Sequence, residues 1–157
     1  MPCLKTDGAV IDESLDIMLW ALDQNDPEAL RDMPEQGHAL IATTDGSFKT
    51  ALDRYKYHTR YGSDRAFERD KASGHLATLN TQLDGQTWLF GNAPRLADLA
   101  ILPFVRQFAF TDKAWFDAQP WPHLQRWLET FLISPRFQSI MQKYPHWRAG
   151  DAPTLFP

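Results

Sequence analysis

The chain is nearly empty of sulfur chemistry. Cys3 is the one cysteine among 157 residues, which excludes an internal disulfide and suits a reducing compartment. Long apolar runs are missing as well. None approaches the roughly 20 residues that a membrane-spanning helix needs, and the N-terminus lacks the basic-then-apolar pattern of a secretory signal. Positive charge is in deficit, with a formal net charge of −4. That argues against nucleic acid as a partner, because phosphate binding needs clustered Lys and Arg. His38, His58, His75, His123 and His146 are scattered, with no metal-ligand spacing among them. There is no glycine-rich phosphate loop, no Gly-x-Ser-x-Gly elbow, no internal repeat and no low-complexity tract. These absences point to a cytoplasmic protein without a metal, and without nucleic acid or membrane as partners.

What the chain has is aromatic mass. With 6 Trp and 10 Phe, it can build a real core in one or at most two compact units. Residues 2–5 and 9–12 read as the strands of a hairpin turning at Asp7-Gly8. Glu13 and Ser14 then open an amphipathic helix over 14–24, with Ile17, Met18, Ala21 and Leu22 as its apolar stripe. The acidic–serine pair suits a small zwitterion. The positive end of the helix and its free N–H groups can hold a carboxylate, while the Glu13 carboxylate can pair with an ammonium group. The alternative is a plain helix start, capped by Asp12 or Ser14. Residues 25–45 carry Pro27, Pro34 and acidic groups, with few large apolar side chains before Leu40 and Ile41. They read as a linker with one short helical turn at 27–32.

Helical periodicity governs the rest. Phe48, Ala51, Leu52, Tyr55 and Thr59 form one stripe over 46–60. A second helix runs from Arg65 to Leu83, with Phe67, Leu76, Leu79 and Leu83 inward. Gly74 would permit a close helix–helix approach, and Asp84-Gly85 is the stop signal. Over 96–110, Leu96, Leu99, Ile101, Leu102, Phe104, Val105, Phe108 and Phe110 surround most of the circumference, so this helix should be buried on nearly all sides. Pro103 within it removes the bond to the Leu99 carbonyl and predicts a kink. Pro122 suits the first turn of a helix whose stripe is Leu124, Trp127, Leu128 and Phe131. Ser134-Pro135 opens a last helix through residue 143, with Phe137, Ile140 and Met141 inward.

This order of elements resembles the glutathione S-transferase family over almost the whole chain. In that family a thioredoxin-like domain precedes an all-helical one. Met1-Pro2 stands where the family has a valine and a cis-proline. Glu13-Ser14 matches the family's acidic–serine pair, and Leu96-Ala97-Asp98-Leu99-Ala100 matches its core-helix motif. The resemblance implies a mainly α fold: a glutathione S-transferase C-terminal-like bundle preceded by the hairpin-and-helix remnant of a thioredoxin-like domain. The corresponding division is residues 1–25 as a partial glutathione-binding segment, 26–45 as linker and 46–157 as the helical domain.

The resemblance also assigns roles. The Met1 backbone and Pro2 would meet the cysteinyl unit of glutathione, Glu13 its amine, and Ser14 its γ-glutamyl carboxylate. Tyr55, His58, Tyr61 and Trp115 could line a pocket for a hydrophobic electrophile, or serve as core and interface packing. Asp98 closes a capping box at the third helical position. Its partner in the family is Ser or Thr, but Arg95 stands there and cannot accept a backbone N–H. No residue inherits the family's thiol-activating Tyr, Ser or Cys, which belongs to a strand preceding position 1, so the catalytic set is empty. Cys3 has no basic neighbour to lower its pKa and reads as structural. The expected activity is glutathione binding with conjugation or reduction of a hydrophobic electrophile in a complete form, as a homodimer, and weak or absent catalysis by these residues alone. A non-catalytic helical module for dimerisation or partner binding is the second expectation. Whether the true start lies upstream stays open.

Overall fold

A computed structural model describes residues 2–154. The expected role of Met1 lies outside the described residues. Two strands, β1 (Leu4–Lys5) and β2 (Val10–Ile11), pair antiparallel with Leu4 opposite Ile11. Between them Thr6 and Ala9 exchange bonds, with Thr6 N donating to the Ala9 carbonyl at 2.9 Å and Ala9 N to Thr6 Oγ1 at 3.1 Å. That seats Asp7-Gly8 at the tip, as their turn chemistry predicts. Helix α1 (Ser14–Gln24) follows at once. Its Leu15, Met18, Leu19 and Leu22 pack against the main core. Of the expected stripe Met18 and Leu22 face inward, whereas Ala21 is exposed and Leu15 and Leu19 take the places expected of Ile17 and Ala21.

The next segment differs from the expected linker. Turns do occupy part of 27–32, but a helix, α2 (Glu35–Thr43), follows and buries Gly37, Leu40 and Ile41. It continues through a π-turn (Thr44–Phe48) into α3 (Lys49–Lys56), making one rod. Gly37 sits in the middle of α2 at a close contact. A Cβ there would stand 2.6 Å from Met33 Sδ and 3.1 Å from Phe90, so a larger residue would require the flexible Met33 side chain to move aside. Gly74, from which the sequence predicts a close helix–helix approach, faces open space, with nothing within 4 Å of where a Cβ would stand.

Beyond a break at Tyr57 and the single turn α4 (His58–Tyr61), Asp64 caps α5 (Arg65–Gln82) by accepting from Ala66 N and Phe67 N at 2.9 and 3.1 Å. The buried line of α5 is Glu68, Ala72, Leu76 and Leu79, continued by Leu83. Phe67 is therefore not inward; it is 64% exposed. The i, i+4 spacing back from Leu76 selects 72 and 68, and spacing outranks residue type. Gly85 then takes φ +70°, which terminates the helix direction.

Helix α6 (Leu96–Ala109) is the centre of the bundle and runs unbroken through Pro103, which is exposed on its outer side. Leu96, Ile101, Leu102, Val105 and Phe108 are buried as expected, whereas Phe110, just past the end, is exposed. Around α6 lie α7 (Lys113–Asp117), α8 (Pro122–Leu132) and α9 (Pro135–Ile140). All four stripe residues of α8 are buried. The first N–H groups of α8, on His123 and Leu124, donate to Asn80 Oδ1 of α5 at 3.0 and 3.1 Å. Ser134 Oγ accepts from Phe137 N at 3.1 Å and so opens α9. That helix ends at Ile140, short of 143, and Ile140 and Met141 are exposed. With no further element over them, only Phe137 of the expected stripe packs inward, its ring 5.0 Å from Phe131. No helix is long and apolar enough to cross a membrane among the described residues.

Candidate functional site

The start of α1 is open. Asp12, Glu13 and Ser14 are all exposed, and Glu13 sits at the N-cap with extended backbone (φ −97°, ψ 133°) and no side-chain cap bond. The first intrahelical bond runs from Ile17 N to the Glu13 carbonyl at 3.0 Å. The earlier N–H groups of the first turn have no intrahelical acceptor, as at any helix start, and no capping side chain occupies them. Glu13 and Ser14 thus stand side by side where a carboxylate could bind backbone donors and an ammonium could meet Glu13. Pro2 is exposed at the entry to β1.

Next to this helix start lies a cleft of about 390 Å³ between α1 and the α2–π-turn rod. Leu15 and Leu19 form one wall, Ile41 and Leu96 line the opposite side, and His38 and Asp45 supply polar groups. A smaller hollow, sharing Leu15, Ile41 and Asp45 with the cleft, reaches Ser14 on one side and Phe104 on the other. Sequence reasoning misses these residues because the prolines and acidic groups of 25–45 read as linker. The available signal is the helical spacing of Gly37, Ile41, Thr44 and Phe48.

The rod's π-turn is fixed from behind. Thr44 Oγ1 donates to the Leu40 carbonyl at 2.8 Å and lies 2.8 Å from His75 Nε2 of α5. Since the hydroxyl proton is committed to Leu40, His75 Nε2 is the donor in this pair. The His75 ring also packs 5.2 Å from Phe48 at the other end of the turn. Burial lowers the His75 pKa from its ordinary value, because the imidazolium would lose its hydration. Asp45 and Gly46, between Thr44 and Phe48, form the cleft wall. Turns of this wide type recur at functional sites.

The four aromatic and histidine candidates separate into two places. Tyr55 is 1% exposed and packs 5.1 Å from Phe108, whose ring is 6.1 Å from Trp115. Arg65 and Arg69 cover Tyr55 and Trp115 at 5.2 and 4.3 Å. Burial, the largest influence, raises the Tyr55 pKa against the lowering effect of Arg65. His58 and Tyr61 instead sit on α4, with Tyr61 48% exposed. Among the described contacts, none joins them to the Tyr55–Trp115 stack.

Asp98 is buried and fully engaged. Its Oδ2 accepts from Arg95 N at 2.9 Å, and its Oδ1 accepts from Leu89 N at 2.9 Å and Trp127 Nε1 at 2.8 Å. Burial raises its pKa, opposed by those three donors. Only the Asp98 half of the capping box exists. The Arg95 guanidinium turns away to the Ala29 carbonyl, 2.6 Å, and to Asp32, 3.7 Å.

A helical bundle wrapped on one buried helix, with a buried aspartate at its third position and a hairpin-and-helix segment docked to its side, is the architecture of the glutathione transferases. The sequence model of the family "Glutathione S-transferase, C-terminal domain" matches residues 46–130, over half of the chain, and the chain belongs to that family. The fold is similar to a glutathione S-transferase from Actinobacillus pleuropneumoniae, with TM-score 0.70, 19% identity, and coverage of 88% of this chain and 66% of that one. It is equally similar to a glutathione transferase from Burkholderia graminis that holds two glutathione molecules per subunit, with TM-score 0.70, 20% identity, and coverage of 86% and 62%. In sequence, 52 residues are 40% identical to glutathione S-transferase aclG of Aspergillus oryzae, over 33% of this chain and 23% of that protein. The chain therefore spans less than two thirds of the length of these relatives.

Proposed function

We propose that the chain supplies part of a glutathione-binding site and works, within a complete glutathione S-transferase, on a hydrophobic electrophile. The observation that carries this reading is the uncapped, exposed start of α1, with Glu13 and Ser14 adjacent and an apolar-walled cleft beside them. Glutathione binding in the Burkholderia graminis relative supports it. Ser14 and the first N–H groups of α1 hold the γ-glutamyl carboxylate, Glu13 holds the amine, and Pro2 and the backbone before it meet the cysteinyl unit. The helical domain frames the second substrate. The division into residues 1–25, 26–45 and 46–157, with a thioredoxin-like origin for the first, belongs to this proposal, as do a cytoplasmic location and a homodimer.

The chemistry is attack of the glutathione thiolate on the electrophile. A complete site speeds this step by lowering the thiol pKa with a hydrogen bond to the thiolate and by aligning both reactants. The residues assigned in this chain bind and orient, and none of them activates the thiol. Weak or absent conjugation by these 157 residues alone is accordingly expected.

Titration calorimetry with glutathione on the wild-type chain and on Ser14→Ala tests the reading. Losing a hydrogen bond to a charged group costs about 1.5–3 kcal/mol, so the variant should bind at least about tenfold more weakly while melting at the wild-type temperature. Equal binding by both proteins would remove Ser14 from the site. Absence of heat from both would favour a helical module that dimerises or binds a partner without catalysis.

A further inference from the structure

We propose that the corner between α3 and α5 is a docking surface for an acidic polypeptide segment, read by Tyr57, Arg60 and Tyr61. The surface uses neither Glu13 nor Ser14, and the inference goes beyond glutathione binding. Residues 54–61 run Arg-Tyr-Lys-Tyr-His-Thr-Arg-Tyr and hold three of the four tyrosines in the chain, so a residue type scarce elsewhere is concentrated at one place. No acidic residue interrupts the sequence between Asp53 and Asp64, although the chain as a whole is acidic. The fold divides this run between core and surface. Tyr55 turns inward onto Phe108 and ties the run to the bundle. Tyr57 and Tyr61 stay 43% and 48% exposed, and their hydroxyls make no hydrogen bond among the described contacts. Each ring carries a cation. Lys56 Nζ lies 4.9 Å from the centre of the Tyr57 ring, and the Arg60 guanidinium 5.9 Å from that of Tyr61.

The backbone beneath these rings is fixed. Arg60 N and Tyr61 N donate to the Tyr57 carbonyl at 2.9 and 3.2 Å, Ser63 N to the His58 carbonyl at 3.1 Å, and Ser63 Oγ to the Arg54 carbonyl at 2.8 Å. Tyrosine and arginine on a fixed backbone are the residue types that dominate binding at protein interfaces, because they offer large contact area for little lost freedom. The charges around the corner set its sign. Of the acids, Asp64 is spent on the Ala66 and Phe67 N–H groups, and Glu68 is buried, 3.6 Å from Arg54. Asp53 is half-buried on α3, as is His58 on the turn itself. Of the cations, Lys56 reaches Gln107 Oε1 at 3.0 Å and Arg65 lies over the Tyr55 ring. Arg60 is exposed and meets no carboxylate among the described contacts. The outward charge is therefore positive, and a partner carboxylate supplies the ion pair that Arg60 lacks. So short a run does not make the basic tract that nucleic acid needs. It also has no aliphatic side chain with which to enter a bilayer.

The test titrates the full chain with a fluorescein-labelled peptide of alternating glutamate and alanine. A peptide with lysine in place of glutamate, a thymidine oligonucleotide of equal charge and phosphatidylserine vesicles are titrated in parallel. The acidic peptide should bind saturably by fluorescence anisotropy and shift the amide NMR signals of residues 57–62. Its binding should weaken severalfold as salt rises from about 0.01 to about 0.15 M. Arg60→Glu and Tyr61→Ala should each weaken it about tenfold, the size expected of a residue at the centre of an interface. Both positions are exposed, so both variants should melt at the wild-type temperature. Lys5→Glu on the hairpin makes the same change in net charge and should leave binding within about twofold. The proposal is overturned by no saturable binding of the acidic peptide, by equal binding of the lysine peptide, or by tighter binding of the oligonucleotide or the vesicles. A loss from Lys5→Glu equal to that from Arg60→Glu overturns it too. Because no arm contains glutathione, its failure leaves the glutathione reading where it was.

Discussion

Helices α1 and α6 are made from much the same side chains, yet they occupy different worlds. α1 carries Leu15, Ile17, Met18, Leu19, Trp20, Ala21 and Leu22 and buries none of them completely. α6 buries eight residues, an aspartate included. Apolar composition therefore does not say where the free energy of this fold resides; the number of elements packed around a helix does. The helical body, from α2 through α8, is a closed core. The hairpin and α1 form a thin layer with one side on that core, and the candidate site residues Pro2, Glu13 and Ser14 lie on the thin layer. Regions of low local stability are where ligand sites are commonly drawn from.

The sharpest way to break the closed region is at Asp98. Truncation by Asp98→Ala removes the acceptor of three hydrogen bonds and strands the buried donors Leu89 N and Trp127 Nε1. Buried donors left unpaired cost about 1–3 kcal/mol each. Denaturant unfolding should show a loss of about 3–5 kcal/mol, enough to threaten folding of a domain this size. No substitution in the thin layer should approach that figure.

A matched pair measures the contrast directly. Leu76 in α5 is wholly buried, while Leu19 in α1 is only partly buried at the edge of the cleft. Leu76→Ala should cost about 2–5 kcal/mol, the usual range for a core leucine. Leu19→Ala should cost about 1 kcal/mol, since part of its surface already touches water and no closed cavity forms. Equal losses in urea titrations would mean that α1 is as integral to the core as α5, and the two-region picture would fall.

The same contrast sets what the sequence could reveal. α8 is legible because Leu124, Trp127, Leu128 and Phe131 repeat at helical spacing behind a proline at the first position. The limits of α1 are legible because Glu13-Ser14 follows a turn. α2 is not, since Pro34 and Gly37 are punctuation in a local reading. Gly37 lies against Met33 and the ring of Phe90, the latter brought there by the tertiary fold. Phe67 outranks Glu68 in a reading by residue type because a charged residue seldom lines a core. For the site, the helix start is visible in sequence, whereas the cleft is not, because it forms only when α1 and α2 lie side by side. Tyr55 looks like a pocket residue by type and is core by position.

His75 offers a smaller, pH-dependent handle on the seam. Its folded pKa lies below the ordinary 6.5, owing to burial. The folded state thus resists a proton that the unfolded chain accepts. The contribution from the neutral ring is fully present above pH 6.5 and is lost as the pH falls from there through the lowered folded value. Asp98 runs the other way. Its folded pKa is raised, so burial penalises it at neutral pH, and acidification through the folded value relieves the penalty. A decline in melting temperature beginning just below pH 6.5 should therefore belong to His75. His75→Gln, which retains a donor for Thr44, should flatten it. An unchanged profile in the variant would assign the decline to other groups.

The smallest expected effect lies in the strap between the two regions. Asp26 accepts from Leu30 N and Arg31 N at 2.8 and 3.1 Å, which folds residues 26–31 into a tight turn. The turn is tied to the body through Leu96 N on the Leu30 carbonyl, 2.8 Å, and Arg95 on the Ala29 carbonyl, 2.6 Å. Arg136 grips Glu28 at 2.5 and 2.6 Å. To present its carbonyl this way Ala29 takes φ +52°, a left-handed conformation that costs an L-residue about 1–2 kcal/mol. Glycine escapes that cost but loses about 0.5–1 kcal/mol through its freer unfolded chain. Ala29→Gly should therefore stabilise the protein by about 0.5 kcal/mol, a shift of about one or two degrees in melting temperature. The direction carries the information. A stabilised variant shows that the body holds the strap in a conformation alanine would not choose, so the placement of α1 is imposed from the helical side. A destabilised one would mean that the strap relaxes freely, and that the thin layer sets its own position.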